Sequence, residues 1–319
     1  MISRVAGHCF WFGRYLERAE STARILQITS TLSLDSDLTQ LECWQPVIIT
    51  AGEEEEYLKS GGAPGDAEAV QEYLTFKGDV AVSLCRSVAA ARENARSVRE
   101  VISLEAWESI NELHLWLRGP AARALYDEHR YGFYRHVRRE TQLCMGLLRG
   151  AMLHDAPLDF IWLGLLLERT GQTARILDVH HHAFTAARAE THPVVEVAVW
   201  LSLLRACYGF EPFMKTHRGA VTGEAVASFL IFEDRFPRAV RHCVRRAREG
   251  LQQLQPQGRP LPALQRLKAL EARLDAPLEA GAVHELLTFV VNETQAACDE
   301  VSTGLLAPAN PGGAGTRTE

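Results

Sequence analysis

The sequence lacks the features of several common protein classes. No apolar run approaches the roughly 20 residues that a transmembrane helix needs, and the N-terminal stretch 1–20 turns charged before the apolar core of a signal peptide could be complete. No segment shows the alternation of apolar and polar residues, bounded by hairpin turns, that is typical of β-strands. These absences predict a cytoplasmic protein without a membrane span and without a β-sheet.

Disulfide frameworks and the common cofactor loops are also missing. The seven cysteines are scattered and never form a Cys-x-x-Cys pair, so we expect buried, reduced thiols. The sequence has no G-x-x-x-x-G-K-S/T loop, no G-x-G-x-x-G loop and no G-x-S-x-G elbow, so it gives no support for nucleotide binding of those types or for serine hydrolysis. The formal net charge of −6 argues against general nucleic-acid binding. We predict no bound cofactor.

A helical hydrophobic period runs through almost the whole chain. The clearest stripe has steps of three and four residues from Val80 to Ile102. Glycine and proline cluster between such stripes and in the tail 307–319, which we expect to be disordered. The 319 residues, 47% of them hydrophobic, can bury a sizeable core. The sequence therefore predicts an all-α helical bundle.

An internal repeat relates the two halves of the chain. The segment WFGRYLERAESTARIL (11–26) aligns without a gap on WLGLLLERTGQTARIL (162–177), and ten of the sixteen positions are identical. Later matches continue at offsets of 156 and 153 in place of 151, and we call residues aligned in this way counterparts. We expect two pseudo-symmetric repeats of about 150 residues, 1–150 and 151–306, that superpose and pack about an approximate two-fold axis.

The repeated helix carries charged residues at matching positions. On a helical wheel, Glu17 and Arg24 lie within about 20° of each other, on the arc opposite the apolar residues. Glu168 and Arg175 occupy the same positions in the second copy. We expect these four side chains to point away from the core of their own half and to line a common cavity.

Two further arginines lie inside the apolar arc. Arg18 and Arg169 directly follow the repeated glutamates. Because an unpaired buried charge is costly, each guanidinium needs a carboxylate or carbonyl partner. Glu93 and Glu249 are candidate partners.

The Glu-Arg helices have two interpretations. They could form an ion network across the pseudo-axis, which is the usual role of charged residues at a helix interface. They could also form a polar pocket for an amino-acid-like or phosphate-bearing ligand, because buried ionic groups stabilise a fold poorly and need another reason to be present.

Five segments, in order along the chain, resemble signature blocks of the bacterial alpha-E domain family. They are GRYLERAESTARIL (13–26), ARENARSVRE (91–100), WESINELH (107–114), GLLLERTGQTARILDV (164–179) and FLIFEDRFPRAV (229–240). The resemblance implies an all-helical fold with no settled biochemical activity. It also implies association with circularly permuted ATP-grasp ligases and transglutaminase-like proteins, in systems thought to make or modify amide or peptide linkages.

The resemblance leads to three hypotheses about function. The first is a component of an ATP-grasp ligase system that holds the substrate or the partner and does not itself bind ATP. The second is a self-contained enzyme in which Glu17 or Glu168 is the catalytic general base, and the third is a purely structural interaction module. The candidate substrate-binding residues are Arg14, Arg18, Arg24, Arg92, Arg169 and Arg175.

The second copy departs from the first at two charged positions. Leu165 stands where the first copy has Arg14, and Gly171 stands where it has Glu20. Because charge is lost at both positions, we do not expect two equivalent active sites.

Two weaker signals remain. Asp178 and His182 have the i, i+4 spacing of a metal pair, but a run of surface histidines is the simpler interpretation, and we predict no metal site. Five arginines step along one face of a later helix, where a solvated face is the simplest explanation and a docking surface for phosphates, tRNA or an acidic partner is the alternative. They are Arg235, Arg238, Arg241, Arg245 and Arg248.

Overall fold

The predicted all-α architecture is confirmed. A computed structural model describes residues 3–187, 193–254, 261–279 and 281–305, and 80% of these described residues are helical. Within those residues there is no strand. The predicted disordered tail, 307–319, lies outside them.

The described elements are α1 Ser3–Asp35, α2 Gln40–Ala51, α3 Glu54–Lys59, α4 Ala67–Phe76, α5 Leu84–Arg96, α6 Leu104–Leu117, α7 Pro120–Glu128, α8 Arg130–Ala151, α9 Ala156–Ala187, α10 Pro193–Ala206, α11 Phe210–Thr216, α12 Gly223–Phe232, α13 Val240–Leu254, α14 Pro262–Asp275, α15 Val283–Glu300 and a π-helical turn Val301–Leu305.

Several helices begin at polar residues that cap their free backbone amides. Thr39 starts α2 with a capping box, in which its hydroxyl accepts from the Glu42 amide and the Glu42 carboxylate accepts from the Thr39 amide. Ser83, Ser103 and Thr222 cap α5, α6 and α12 in the same way through their hydroxyls. These caps place the helix starts where the sequence has short polar residues.

The helices α1 and α9 form the centre of the described structure. They are 33 and 32 residues long, and they pack against each other along their length. Around them, α5 and α8 pack on α1, as α13 and α15 pack on α9. The shorter helices cross between the halves, since α2 contacts α9 as well as α1 and α10 contacts α1 as well as α9.

Two glycines allow α1 and α9 to touch through their backbones. A Cβ atom added at Gly13 would lie 1.9 Å from the carbonyl oxygen of Ile161, and one added at Gly164 would lie 2.0 Å from that of Phe10. Gly13 and Gly164 are counterparts in the repeat, so the contact is reciprocal. No larger residue fits at either position without a shift of the helices.

The apolar core does not divide at the predicted repeat boundary. One cluster joins buried residues of the first half, such as Phe10 and Phe133, to Leu163 and Leu251 of the second. A second cluster lies between residues 174 and 290, with Ile25 of α1 packed against it. The halves therefore share apolar surface, and their superposition and the boundary near residue 150 remain predictions.

Two other expectations from the sequence can be compared with the structure. Every cysteine is a free thiol, and all are buried except Cys85, which is partly exposed. Among the described helices, none has the length and apolar character that crossing a membrane would need.

Candidate functional site

Each of the two repeated glutamates binds an arginine of the other long helix, so two ion pairs cross between α1 and α9. Glu17 is fully buried and accepts hydrogen bonds from Nε and Nη2 of Arg169, at 3.0 and 2.8 Å. Glu168 is also buried and accepts from Nε and Nη2 of Arg18, at 2.7 and 2.9 Å. Each glutamate therefore binds the arginine that follows the glutamate of the other helix, in the two-point geometry that guanidinium and carboxylate favour.

Each glutamate has a second arginine, which comes from a different place in the two cases. Glu168 accepts from Nε of Arg14, on α1, at 2.9 Å. Glu17 accepts from Nη1 of Arg238 at 2.7 Å, and Arg238 lies on the segment between α12 and α13. The counterpart of Arg14 is Leu165, which has no charge to offer. Arg238 supplies the missing guanidinium.

A third buried carboxylate, Glu20, extends the network, although it is not among the site residues predicted from the sequence. Glu20 accepts from Nη1 of Arg24 at 2.6 Å, from Nη2 of Arg238 at 3.2 Å and from the hydroxyl of Tyr208 at 2.9 Å. The guanidiniums of Arg24, Arg138 and Arg238 lie 4.5 to 5.0 Å from the centre of the Tyr208 ring. Tyr208 therefore holds several cations against one carboxylate through both its ring and its hydroxyl.

The bound arginines keep Glu17 and Glu168 ionised. Burial raises the pKa of Glu17, but Arg169 and Arg238 outweigh that effect and lower its pKa to about 2. Burial also raises the pKa of Glu168, and Arg18 and Arg14 outweigh it and hold its pKa well below the usual range. Carboxylates so strongly stabilised in the charged form are weak bases near neutral pH.

The counterparts Arg24 and Arg175 differ in their partners. Burial lowers the pKa of both guanidiniums, and neighbouring arginines lower both further. Arg24 binds Glu20 and donates from Nε to the carbonyl oxygen of Ala206. Arg175 has no ion pair with any described carboxylate, and its buried Nε has no hydrogen-bond partner among the described residues. Glu168 still attracts the Arg175 guanidinium, but no described carboxylate lies in ion-pair contact with it.

These side chains surround a cavity of about 180 Å³ between α1 and α9. It is lined by six arginines, whereas Glu17, Glu20 and Glu168 do not line it. The expectation that the two repeated glutamates line the cavity is therefore wrong: their oxygens are turned to the arginines and covered by them. Against the three glutamates, the arginines leave a surplus of three positive charges. The arginines are Arg14, Arg18, Arg24, Arg169, Arg175 and Arg238.

Glu-Arg pairs also appear in the description of the family whose model the chain matches. Residues 1–306 match Alpha-E, which is described as a predicted alpha-helical domain with a conserved ER motif. The chain belongs to the Alpha-E family. In this Alpha-E chain, the two Glu-Arg pairs are Glu17-Arg18 and Glu168-Arg169.

Curated relatives of the Alpha-E chain are longer proteins. An uncharacterised protein of Mycobacterium bovis is 25% identical over 268 residues, and so is one of Mycobacterium tuberculosis strain H37Rv. The alignment covers 79% of this chain and 30% of each relative, so the chain spans about a third of their length. No solved structure matches the chain.

The predicted partners of Arg18 and Arg169 are wrong. Both arginines bind a carboxylate as expected, but Glu93 binds Arg96 on its own helix and Glu249 binds Arg246 on its own helix. A helical wheel separates apolar from polar arcs, but it does not identify which neighbouring helix covers each arc. In this Alpha-E chain the covering helix carries the other Glu-Arg pair.

Arg92 lies apart from the other candidate arginines. Its Nε donates to the side-chain oxygen of Asn111 at 3.0 Å, and its guanidinium lies over the Trp107 ring. It is not among the residues that line the cavity. The other five candidate arginines are brought together there.

The later arginine stripe is not one solvated face. Arg238 is buried in the ion network, so for this residue the simple interpretation is wrong. Arg241 pairs with Asp234 at 3.0 Å, and Arg245 pairs with Glu271 at 3.0 Å. The stripe is therefore largely matched by acidic residues. In the sequence, Arg238 lies at the break FPRAV, within the signature block FLIFEDRFPRAV (229–240).

The histidine run does not form a described metal cluster. Asp178 lies 2.7 Å from Nδ1 of His284, and Nδ1 of His180 contacts the carbonyl oxygen of Ile176. The side chain of His182 lies outside the described residues. Within the described part of the Alpha-E chain, no three histidine, cysteine, aspartate or glutamate side chains are grouped as metal ligands would be.

Proposed function

We propose that this Alpha-E chain binds a small anionic ligand in the arginine-lined cavity and holds it for a partner enzyme. The observation that carries the proposal is the surplus of guanidinium over carboxylate around the cavity. Buried like charges repel one another, and an anion that enters between them relieves the repulsion and gains several charge-assisted hydrogen bonds.

The same charges favour an anion over a zwitterion. Each of the three buried glutamates already accepts hydrogen bonds from at least two arginines. An ammonium group in the cavity would face guanidiniums and find no free carboxylate. Of the amino-acid-like and phosphorylated ligands expected from the sequence, those with net negative charge therefore fit best.

The geometry does not favour the rival enzyme hypothesis. Glu17 and Glu168 accept hydrogen bonds from arginines on both carboxylate oxygens, and the pKa of each is lowered. A general base needs a pKa near the working pH and access to a substrate proton. Both glutamates are better suited to hold the arginines than to take up protons.

The partner that we propose is the one that the family resemblance implies. In an ATP-grasp ligase system, the ATP-grasp protein would activate a carboxylate with ATP, and the Alpha-E chain would hold one of the reactants, with a transglutaminase-like protein in the same system. We propose as well that the chain is built from two repeats, because α5 and α8 pack on α1 as α13 and α15 pack on α9.

Ligand binding and partner binding can be tested separately. Calorimetry at low ionic strength with acetate, glutamate and inorganic phosphate should detect binding that weakens as salt is added. Methylamine serves as a cationic control and should not bind. If none of the three anions binds, the proposed function is wrong. Co-elution with the circularly permuted ATP-grasp protein of the same organism tests the partner.

A further inference from the structure

The cavity has an Arg24 side and an Arg175 side, and these two arginines are counterparts in the repeat. Different groups fill the space on the two sides. On the Arg24 side, Glu20 supplies a carboxylate at 2.6 Å, and the Tyr208 hydroxyl donates to that carboxylate at 2.9 Å. Tyr208 has a φ of +56°, in the left-handed region that side chains rarely adopt. The chain accepts this strained conformation and places an aromatic ring against the arginines.

On the Arg175 side, both filling groups are absent. The counterpart of Glu20 is Gly171, at an offset of 151, and the counterpart of Tyr208 is Gly52, at an offset of 156. Gly52 has a φ of +76°, so the backbone turns as it does at Tyr208, but no side chain enters the space. A Cβ atom added at Gly52 would have nothing within 4 Å.

Polar atoms on the Arg175 side are left without partners. Nε of Arg24 donates to the carbonyl oxygen of Ala206, whereas the buried Nε of Arg175 has no hydrogen-bond partner among the described residues. The hydroxyl of Thr50, the counterpart of Ala206, is also buried without a described partner. Both Arg175 and Thr50 line the cavity. Unsatisfied buried donors are uncommon in folded proteins, and a bound ligand is one explanation for them.

We infer that Arg175 is the anchor of the ligand, and that the ligand's carboxylate takes the position that Glu20 holds on Arg24. This inference rests on the proposed function and makes it specific to one side of the cavity. The chain then binds one ligand, because Glu20 and Tyr208 already occupy the other side. The body of the ligand extends into the space left at Gly52.

A carboxylate is the ligand group that the Arg24 side indicates. There the chain itself matches a guanidinium to a planar group with two oxygens, through Glu20. Phosphate shares the negative charge but carries a tetrahedral set of oxygens, and the internal counterpart gives no example of that shape. We therefore expect acetate to be the better minimal probe and inorganic phosphate the weaker one.

The experiment supplies the missing carboxylate from inside the protein. Gly171→Glu places a carboxylate four residues before Arg175, the spacing of Glu20 and Arg24. A Cβ at Gly171 meets the Arg175 guanidinium at 3.7 Å, which is ordinary contact, so the substitution has room. Gly171→Ala is the matched control, because it adds the Cβ without the carboxylate.

A second pair of variants removes the cation. Arg175→Gln deletes the proposed anchor, and Arg149→Gln deletes one arginine from a separate groove, where Arg149 lies over the Trp162 ring. Because Arg175 has no internal ion pair, its removal should not lower the melting temperature of the ligand-free protein. This variant keeps the test decisive even if Gly171→Glu does not fold.

Acetate and phosphate titrations of the four variants and the parent chain separate the outcomes. We expect Gly171→Glu and Arg175→Gln to weaken acetate binding by at least about tenfold, as loss of a charged hydrogen bond does. Gly171→Glu should also raise the melting temperature without ligand, and both controls should bind acetate like the parent chain.

Three results would overturn the inference in different ways. Acetate binding that is unchanged in Arg175→Gln and Gly171→Glu removes the assignment to Arg175 but leaves the proposed function standing. Phosphate binding at least about tenfold tighter than acetate, a difference of about 1.4 kcal/mol, removes the assignment to a carboxylate. No binding of acetate, glutamate or phosphate by the parent chain removes the proposed function and this inference together.

Discussion

Glu17 and Glu168 reach the same electrostatic state by different means. Both are buried in the α1 and α9 interface, and both hold two arginines. For Glu168 both arginines come from α1, whereas Glu17 takes one from α9 and one, Arg238, from a distant segment. A buried carboxylate needs its full complement of donors, and the chain supplies them from wherever the fold brings an arginine close.

The largest expected effect comes from removing either carboxylate charge. Glu17→Gln and Glu168→Gln keep the shape but remove a buried negative charge that two guanidiniums face, so each should lower the free energy of unfolding by about 3–5 kcal/mol. Urea denaturation of the two variants measures this directly. A loss below about 1 kcal/mol in either variant would show that its glutamate is not structural.

Acid should remove the same contribution from the parent chain. The pKa of Glu17 is lowered from 4.5 to about 2, so its stabilising effect is complete above about pH 4.5 and is lost as the pH falls towards 2. The melting temperature should therefore drop over that range. In Glu17→Gln the drop should be shallower, because the titrating group is absent. Equal slopes would contradict the assignment.

Removing the second arginine of each glutamate should lower the free energy of unfolding by a smaller amount, and by different amounts for Glu168 and Glu17. Arg14→Leu and Arg238→Leu each remove hydrogen bonds to a buried carboxylate, which is typically worth about 1.5–3 kcal/mol. Arg238→Leu should cost more, because Arg238 also binds Glu20. Double-mutant cycles with Glu168→Gln and Glu17→Gln, respectively, isolate the two couplings. A coupling energy near zero between Arg238 and Glu17 would mean that Arg238 does not supply the guanidinium that Leu165, the counterpart of Arg14, lacks.

The smallest change in the free energy of unfolding is expected at Glu93, a partner that the sequence suggests for the arginines in the apolar arc. Glu93 is half exposed, and the arginines that it binds, Arg92 and Arg96, lie on its own helix. Glu93→Gln should therefore change the free energy of unfolding by no more than about 0.5 kcal/mol. A loss as large as that of Glu168→Gln would restore Glu93 as a partner of the buried network.

The contrast between predicted and observed features has a physical basis. The hydrophobic period predicts the helices, because it is a property of local sequence. The pairing of Arg18 with Glu168 depends on how two helices 150 residues apart cross, which a wheel does not contain. The repeat does not point to Tyr208, or assign Arg238 to this site in place of the later arginine stripe, because their counterparts are Gly52 and Val82, respectively.

The lining of the arginine cavity is also only partly predictable from a helical wheel. The helical wheel puts Glu17, Arg24, Glu168 and Arg175 on the polar arcs of their helices and predicts that all four line a common cavity, but of these four only Arg24 and Arg175 line it. It did not predict that the glutamates would turn away from the cavity while the arginines face it. That orientation follows from burial, because a carboxylate held between two guanidiniums is shielded on both sides.

The reciprocal contact of Gly13 and Gly164 also sets the lengthwise alignment of α1 and α9. A main-chain carbonyl of each helix lies where a side chain of the other would begin, so sliding the pair by one helical turn, about 5.4 Å, would drive a larger residue into that position. Glu17 and Glu168 follow these glycines by four residues. The close glycine contact and the ion pairs between the two helices therefore require the same alignment of α1 and α9.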